Sequence, residues 1–267
     1  MPTVAERWIS LEGAVNVRDI GGLPLEGGGT TAAGRLLRGD NLQGLTASDV
    51  RLLVGDLRLR LVLDLRTEVE VRLEGRAPLE AEPTVRHETL SLLPVAGRTT
   101  DVAAEDILPW ADDTRRSLHR HRGGPAVVSR LYAQYLRDRP DSVVAALRAV
   151  AELADGAAIV HCAAGKDRTG VVVALALAVA GVERSAIVED YAASAEVIEA
   201  IVARLVASPT YAADISARPV DSHRPLAESM RLFLAGLDQE FGGPANWLAA
   251  HGWTQSEQER LRARLIG

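Results

Sequence analysis

The chain has 267 residues, is 47% apolar, 25% charged and 4% aromatic, and carries a formal net charge of −6. That composition excludes collagen-like, low-complexity and wholly disordered chains. The acidic balance argues against a nucleic-acid binder but leaves room for a small anionic substrate in a locally positive site.

No apolar run reaches the roughly 18 residues of a membrane span. The first seven residues show no basic stretch followed by an apolar one, so no secretory signal is read and a cytoplasmic location is expected, with non-classical export left open. No 20–50-residue period repeats. From residue 15 to 38, short apolar alternations broken by glycines predict strands joined by a turn. Thr46-Ala47-Ser48-Asp49 resembles a capping box and predicts a helix through Val50, Leu53 and Leu57. Residues 59–65 read as a buried strand.

Residues 94–125, with three prolines and five acids, read as a long loop of the kind that is functional or mobile. Helical spacing returns at Val128, Leu131, Tyr132, Tyr135 and Leu136. Asp141 or Ser142 is expected to cap the next helix. A short strand, 157–160, leads into His161-Cys162-Ala163-Ala164-Gly165-Lys166-Asp167-Arg168-Thr169-Gly170. An apolar helix follows from 171 to about 180, stopped by Gly181. The last third is helical, with stripes through Ile198, Ile201 and Leu205 and through Met230, Phe233 and Leu237. Residues 208–225 read as a linker or mobile crossing, and Thr254 to Glu257 as a second capping box. Strands alternating with helices imply an α/β fold with a mostly parallel sheet.

Cys162 is the sole cysteine, so no intrachain disulfide can form and a reducing compartment is expected. Lys166 is the sole lysine among 30 cationic side chains and lies four residues away, where an ammonium and a guanidinium are not interchangeable. Cys162 and Arg168 are separated by five residues between a strand and a helix. A loop of that size turns successive N–H groups inward as an anion nest, and the helix N-terminus adds its own amides and dipole. These groups and Arg168 favour a phosphate over the loop and a thiolate at Cys162. Arg168 can grip two phosphate oxygens. Taken alone, a single cysteine is more often buried and inert. His119 and His121 have no cysteine or clustered carboxylate beside them, so no metal and no cofactor are expected.

HCAAGKDRTG resembles the HCx5R[ST]G signature of the cysteine-dependent phosphatases, and its Gly-Lys-Asp variant is similar to that of the bacterial protein tyrosine phosphatase B family. NVRDIGG, GRLLRGDNL and VLDLRTEVE resemble that family's NxRDxGG, GRLxRSxxL and DLRSxxE, so the likeness covers nearly the whole chain. Gly39 departs from it, since serine usually follows the arginine there; a changed local hydrogen bond is expected. The resemblance implies one phosphatase domain over 1–267. It implies attack by Cys162 on phosphorus and hydrolysis of a cysteinyl phosphate by water. Arg168 and the amides of Ala163, Ala164, Gly165 and Lys166 would bind the phosphate oxygens. Thr169 would donate to the Cys162 sulfur, and His161 would fix the loop.

The general acid is expected at Asp167, with Asp101, Asp106, Asp112 and Asp113 as alternatives; the bland reading of Asp167 is an anchor that pairs with Arg18 or backbone amides. Lys166 suggests a second phosphate, hence phosphoinositides as well as phosphotyrosine or phosphoserine/threonine proteins as substrates. Asn16, Arg18 and Asp19 are expected to support the loop, and Asp64 and Arg66 to form a buried pair beside it. Residues 186–225 either form a helical lid over the site or merely pack on the core. Rival readings are an idle phosphate-binding module and a sulfurtransferase. The substrate and the oligomeric state are not legible.

Overall fold

The computed structural model describes residues 7–94 and 124–266. Five strands form one sheet: β1 (Arg18–Asp19), β2 (Leu36–Gly39), β3 (Leu59–Asp64), β4 (Arg86–Thr89) and β5 (Ala157–His161), in the order β1-β2-β5-β3-β4. All neighbours are parallel except β1, which runs antiparallel to β2. The sheet is covered on both faces, as parallel sheets are. Along β5 the alternation is clean: Ala158 and Val160 enter the larger core, Ala157 and Ile159 the smaller. In β3 the alternation slips. Leu59 and Val62 share one face, Leu61 and Leu63 the other, because the register with β5 shifts between Leu59 and Leu61.

Eleven α-helices surround the sheet within the described residues. They are α1 (Ala47–Arg51), α2 (Glu68–Glu74), α3 (Gly124–Asp138), α4 (Pro140–Glu152), α5 (Asp167–Ala180), α6 (Arg184–Ala193), α7 (Ile198–Ala207), α8 (Ala212–Ser216), α9 (Ala227–Phe241), α10 (Pro244–Ala250) and α11 (Gln255–Ile266). Helix α5 is buried almost all round and ends at Gly181 in the left-handed conformation. Each fully buried leucine or valine on it contributes about 1.5–3 kcal/mol. The expected capping boxes at Thr46/Asp49 and Thr254/Glu257 both form.

Several expectations need correction. Asp141 and Ser142 lie inside α4, which opens at Pro140 with no side-chain cap on Arg139; Asp141 instead takes the Arg139 guanidinium. The stretch 208–225 is not a bare linker but holds α8 and a 3-10 turn (Val220–His223). Strand β4, helix α2 and helix α10 were not read from the sequence. Most of the expected 94–125 loop lies outside the described residues, with Asp101, Asp106, Asp112, Asp113, His119 and His121. Among the described residues no helix is long and apolar enough to cross a membrane.

Candidate active site

Strand β5 is the central strand, flanked by β2 and β3, and the Cys162 loop leaves its carboxyl end, where open α/β sheets bind ligands. The neighbouring strands hold the loop by its backbone. Leu65 N–H donates to the His161 carbonyl at 2.9 Å and Asn41 N–H to the Ala163 carbonyl at 3.0 Å. Gly165 sits at φ +66°, and a Cβ there would lie 2.5 Å from the Gly39 carbonyl oxygen. Only glycine fits both conditions. The loop runs directly into α5, whose first-turn amides have no side-chain cap. Cys162 is 2% exposed.

Arg168, in the first turn of α5, is locked in a buried fork. Its Nη1 and Nη2 donate to the Glu70 carboxylate at 2.7 and 2.8 Å, and Nη1 also to the Leu65 carbonyl. Glu70 is fully buried and takes the Thr67 N–H and hydroxyl and the Tyr211 hydroxyl as well. Burial opposes ionisation of Glu70, but the facing Arg168 guanidinium holds its carboxyl below the usual range. Arg168 is held charged by the same pair. One step away, Asp64 and Arg66 form the expected buried pair, bonded through both carboxylate oxygens, and Arg66 reaches on to Gln43. Burial opposes the charge on Asp64, yet His161 alongside and the Arg66 fork hold it at about 2. Burial pushes His161 down to about 4, so the imidazole is neutral at pH 7.

Behind the loop lies a second charged frame. Asn16 Nδ2 donates to the Ala164 carbonyl at 2.8 Å and its Oδ1 accepts from Arg18 at 2.7 Å. Arg38 donates to the Gly165 carbonyl at 2.9 Å. Arg7, Arg18 and Arg38 all converge on Asp190, from α6, whose carboxylate is 1% exposed. Burial alone would protonate Asp190, but the three guanidinium groups drive its pKa far below the usual carboxylate range. Asp19 joins this frame only through its carbonyl, which accepts from Arg7 at 3.3 Å. Its carboxylate accepts the Gly21 and Gly34 amides and so closes the β1–β2 connection. The Gly39 departure leaves no side chain here; a Cβ would press on Ile159 at 3.1 Å.

Asp167 does not pair with Arg18. Its Oδ1 accepts from the Tyr132 hydroxyl at 2.5 Å, and Lys166 Nζ lies 3.5 Å from its Oδ2. Lys166 also donates to the His223 carbonyl at 2.5 Å. Thr169 Oγ1 is buried without a hydrogen-bond partner among the described residues, so the expected bond to the Cys162 sulfur is not formed in this state. The segment from α7 to the 3-10 turn lies over the loop. Ile198, Ile201, Val202, Leu205 and Tyr211 pack with Ala163, with Ala164 beside them. A pocket of about 60 Å³ remains between Ala164, Lys166, Asp167 and this cover.

The structure thus gathers Cys162, the loop, Arg168, Asp167, Lys166, His161, Thr169, Asn16, Arg18, Asp64 and Arg66, and leaves Asp19 to one side. Sequence reasoning missed Glu70, Arg38, Asp190 and Tyr132. Thr67-Glu68-Val69-Glu70 is a capping box, formed here in both directions, and would have flagged Glu70. Among the described residues no cluster of three His, Cys, Asp or Glu side chains could hold a metal.

A mostly parallel sheet that presents a Cys-x5-Arg loop at a helix N-terminus, with the arginine braced by a buried glutamate, defines an α/β phosphatase-like fold. The profile described as "Tyrosine phosphatase family" matches residues 9–267, and the chain belongs to that family. It is 32% identical over 146 residues to a tyrosine-protein phosphatase of Nostoc commune, covering 53% of this chain and 50% of the relative. It is 33% identical over 132 residues to the triple specificity protein phosphatase PtpB of Mycobacterium tuberculosis, covering 45% and 48%. The chain therefore spans about half the length of each of these relatives.

Proposed function

We propose that this protein is a cysteine-dependent phosphatase that hydrolyses phosphotyrosine, together with phosphoserine/threonine and phosphoinositide esters, through a cysteinyl phosphate. The observation that carries this reading is the buried Arg168–Glu70 fork beside Cys162 at the uncapped N-terminus of α5. The guanidinium is set before substrate arrives, which is what stabilisation of a transferring phosphoryl group requires. The names of the two relatives support the same class.

In the reaction, Cys162 Sγ attacks phosphorus as the ester oxygen leaves, taking a proton from Asp167. Loop amides and Arg168 hold the three equatorial oxygens. Water then attacks the cysteinyl phosphate, gives its proton to Asp167 and releases phosphate. The Thr169 hydroxyl, without a hydrogen-bond partner among the described residues, is a donor in reserve for the departing sulfur. Neutral His161 is a bracing group, not the base. Because Cys162 is 2% exposed, the α7 to 3-10 segment must lift for a phosphotyrosine to enter, which makes it a lid. Lifting also frees Lys166 from the His223 carbonyl to meet a second phosphate.

The test is phosphate release from a phosphotyrosine peptide, a phosphothreonine peptide and phosphatidylinositol 3-phosphate, with Cys162→Ser and Lys166→Ala alongside. Release by wild type and none by Cys162→Ser supports the thiol mechanism. A fall in the lipid-to-peptide ratio in Lys166→Ala supports the second-phosphate role, and an unchanged ratio removes it. Wild type inert on all three would end the broad-specificity reading.

A further inference from the structure

Two buried tyrosines stand behind the proposed acid, and the reaction as written does not use them. Tyr132, on α3, is wholly buried and ringed by Tyr135, Tyr191 and Phe233, with centroids 6.1, 6.0 and 5.8 Å away. Its hydroxyl donates to Asp167 Oδ1 at 2.5 Å and lies 2.7 Å from the Tyr191 hydroxyl. Tyr132 has one proton, which goes to Asp167, so Tyr191 donates to Tyr132. The chain runs Tyr191 to Tyr132 to Asp167. Gly170 permits it: a Cβ there would lie 2.9 Å from the Tyr191 ring. Phenylalanine would fill either site equally well, so packing does not account for the two hydroxyls.

We propose that Tyr132, backed by Tyr191, is a positioning residue that orients the Asp167 carboxyl over the loop and sets the pH at which it gives up its proton. This rests on Asp167 being the general acid. A donor to the carboxylate favours the ionised form, and a chain of two donors strengthens the effect. Burial keeps the Tyr132 phenol protonated far above neutral pH, so it donates throughout the working range. Other groups that face Asp167 include Lys166 Nζ, 3.5 Å from Oδ2, and Asp214, Arg218 and His223 of the overlying segment, which line the same pocket.

The experiment follows kcat and KM for phenyl phosphate, whose poor leaving group needs an acid, across the pH range in four full-length proteins: wild type, Asp167→Asn, Tyr132→Phe and Tyr191→Phe. Asp167→Asn is expected to abolish the basic limb of the kcat profile. Tyr132→Phe is expected to move that limb up by roughly one pH unit, because one charge-assisted hydrogen bond to the anion is lost. Tyr191→Phe should move it the same way by less, with KM changing under about twofold in both, as for an effect outside ground-state binding. If Asp167→Asn removes the limb while Tyr132→Phe leaves it in place, the tyrosines only pack and the inference fails alone. If Asp167→Asn leaves limb and rate intact, the acid assignment and the inference fall together. Should Tyr132→Phe not fold, Tyr191→Phe decides, and an unmoved limb there overturns the proposal.

Discussion

Glu70→Gln keeps the volume at the base of Arg168 and removes one acceptor and the charge. Five donors converge on the Glu70 carboxylate: both Arg168 amino groups, the Thr67 amide and hydroxyl, and the Tyr211 hydroxyl. A glutamine amide keeps one oxygen, which the Thr67 amide and one arm of Arg168 retain. Its NH2 must then face the other arm, donor against donor. Removing one partner of a buried pair costs about 3–5 kcal/mol, and the retained oxygen puts this variant near the low end, about 3 kcal/mol. For a chain of this size that is a fall in Tm of roughly 6–12 °C. The guanidinium also swings off the loop axis, and a displacement of about 1 Å at a reacting centre costs on the order of 10²-fold in kcat. Urea unfolding and kcat on an aryl phosphate measure the two effects. A variant within about 0.5 kcal/mol of wild type and with unchanged kcat would refute the idea that Glu70 presets Arg168.

Two further outcomes are expected. Gly165→Ala combines a left-handed backbone with a Cβ 2.5 Å from the Gly39 carbonyl, so it should destabilise by about 2–5 kcal/mol and abolish phosphate release; an active, stable variant would show that the loop can relax away from β2. His161 titrates near 4 in the fold, pushed down by burial, and near 6.5 unfolded. Between those values the unfolded chain binds a proton that the fold refuses. Stability therefore falls as pH drops below about 6.5 and has lost about 3 kcal/mol from this group near pH 4. Asp64, held at about 2, carries the loss further down. Unfolding free energies between about pH 7 and 4 should show a shallower slope in His161→Asn, and an identical slope would mean the imidazole is charged in the fold.

The loop was legible because its chemistry is contiguous: one cysteine, one lysine and one arginine lie within seven residues, between a strand and a helix that periodicity finds independently. Helix α5 and the two capping boxes were legible for the same local reason. Strand β4 was not, since Arg86-His87-Glu88-Thr89 is an edge strand with no buried apolar face to signal it. Asp190 and Tyr132 were invisible for a different reason. In sequence they are ordinary helix residues, and their meaning lies in partners 152 residues away at Arg38 and 35 away at Asp167. The misreading of 208–225 came from prolines, which here start short turns rather than break structure, because the segment packs its apolar residues onto the loop. Asp19 was placed by adjacency to Arg18, yet successive strand residues point to opposite sides, so Arg18 reaches the loop frame and Asp19 turns to Gly21 and Gly34.

Helix α6 ties these observations together. Asp190 and Tyr191 are consecutive, so their side chains leave the helix about 100° apart. One collects Arg7, Arg18 and Arg38 behind the loop, and through Arg38 and Asn16 fixes the Gly165 and Ala164 carbonyls. The other reaches Tyr132 and through it Asp167. Pinning those carbonyls fixes the peptide planes of the loop, which is the preorganisation that the proposed anion nest needs. On the mechanism proposed above, the same helix sets both the cradle for the phosphate and the group that protonates its leaving oxygen. Cradle and acid are then fixed relative to each other by one rigid element rather than by the loop alone. That is why the loop can be built of alanines and glycine at its centre and still hold one shape.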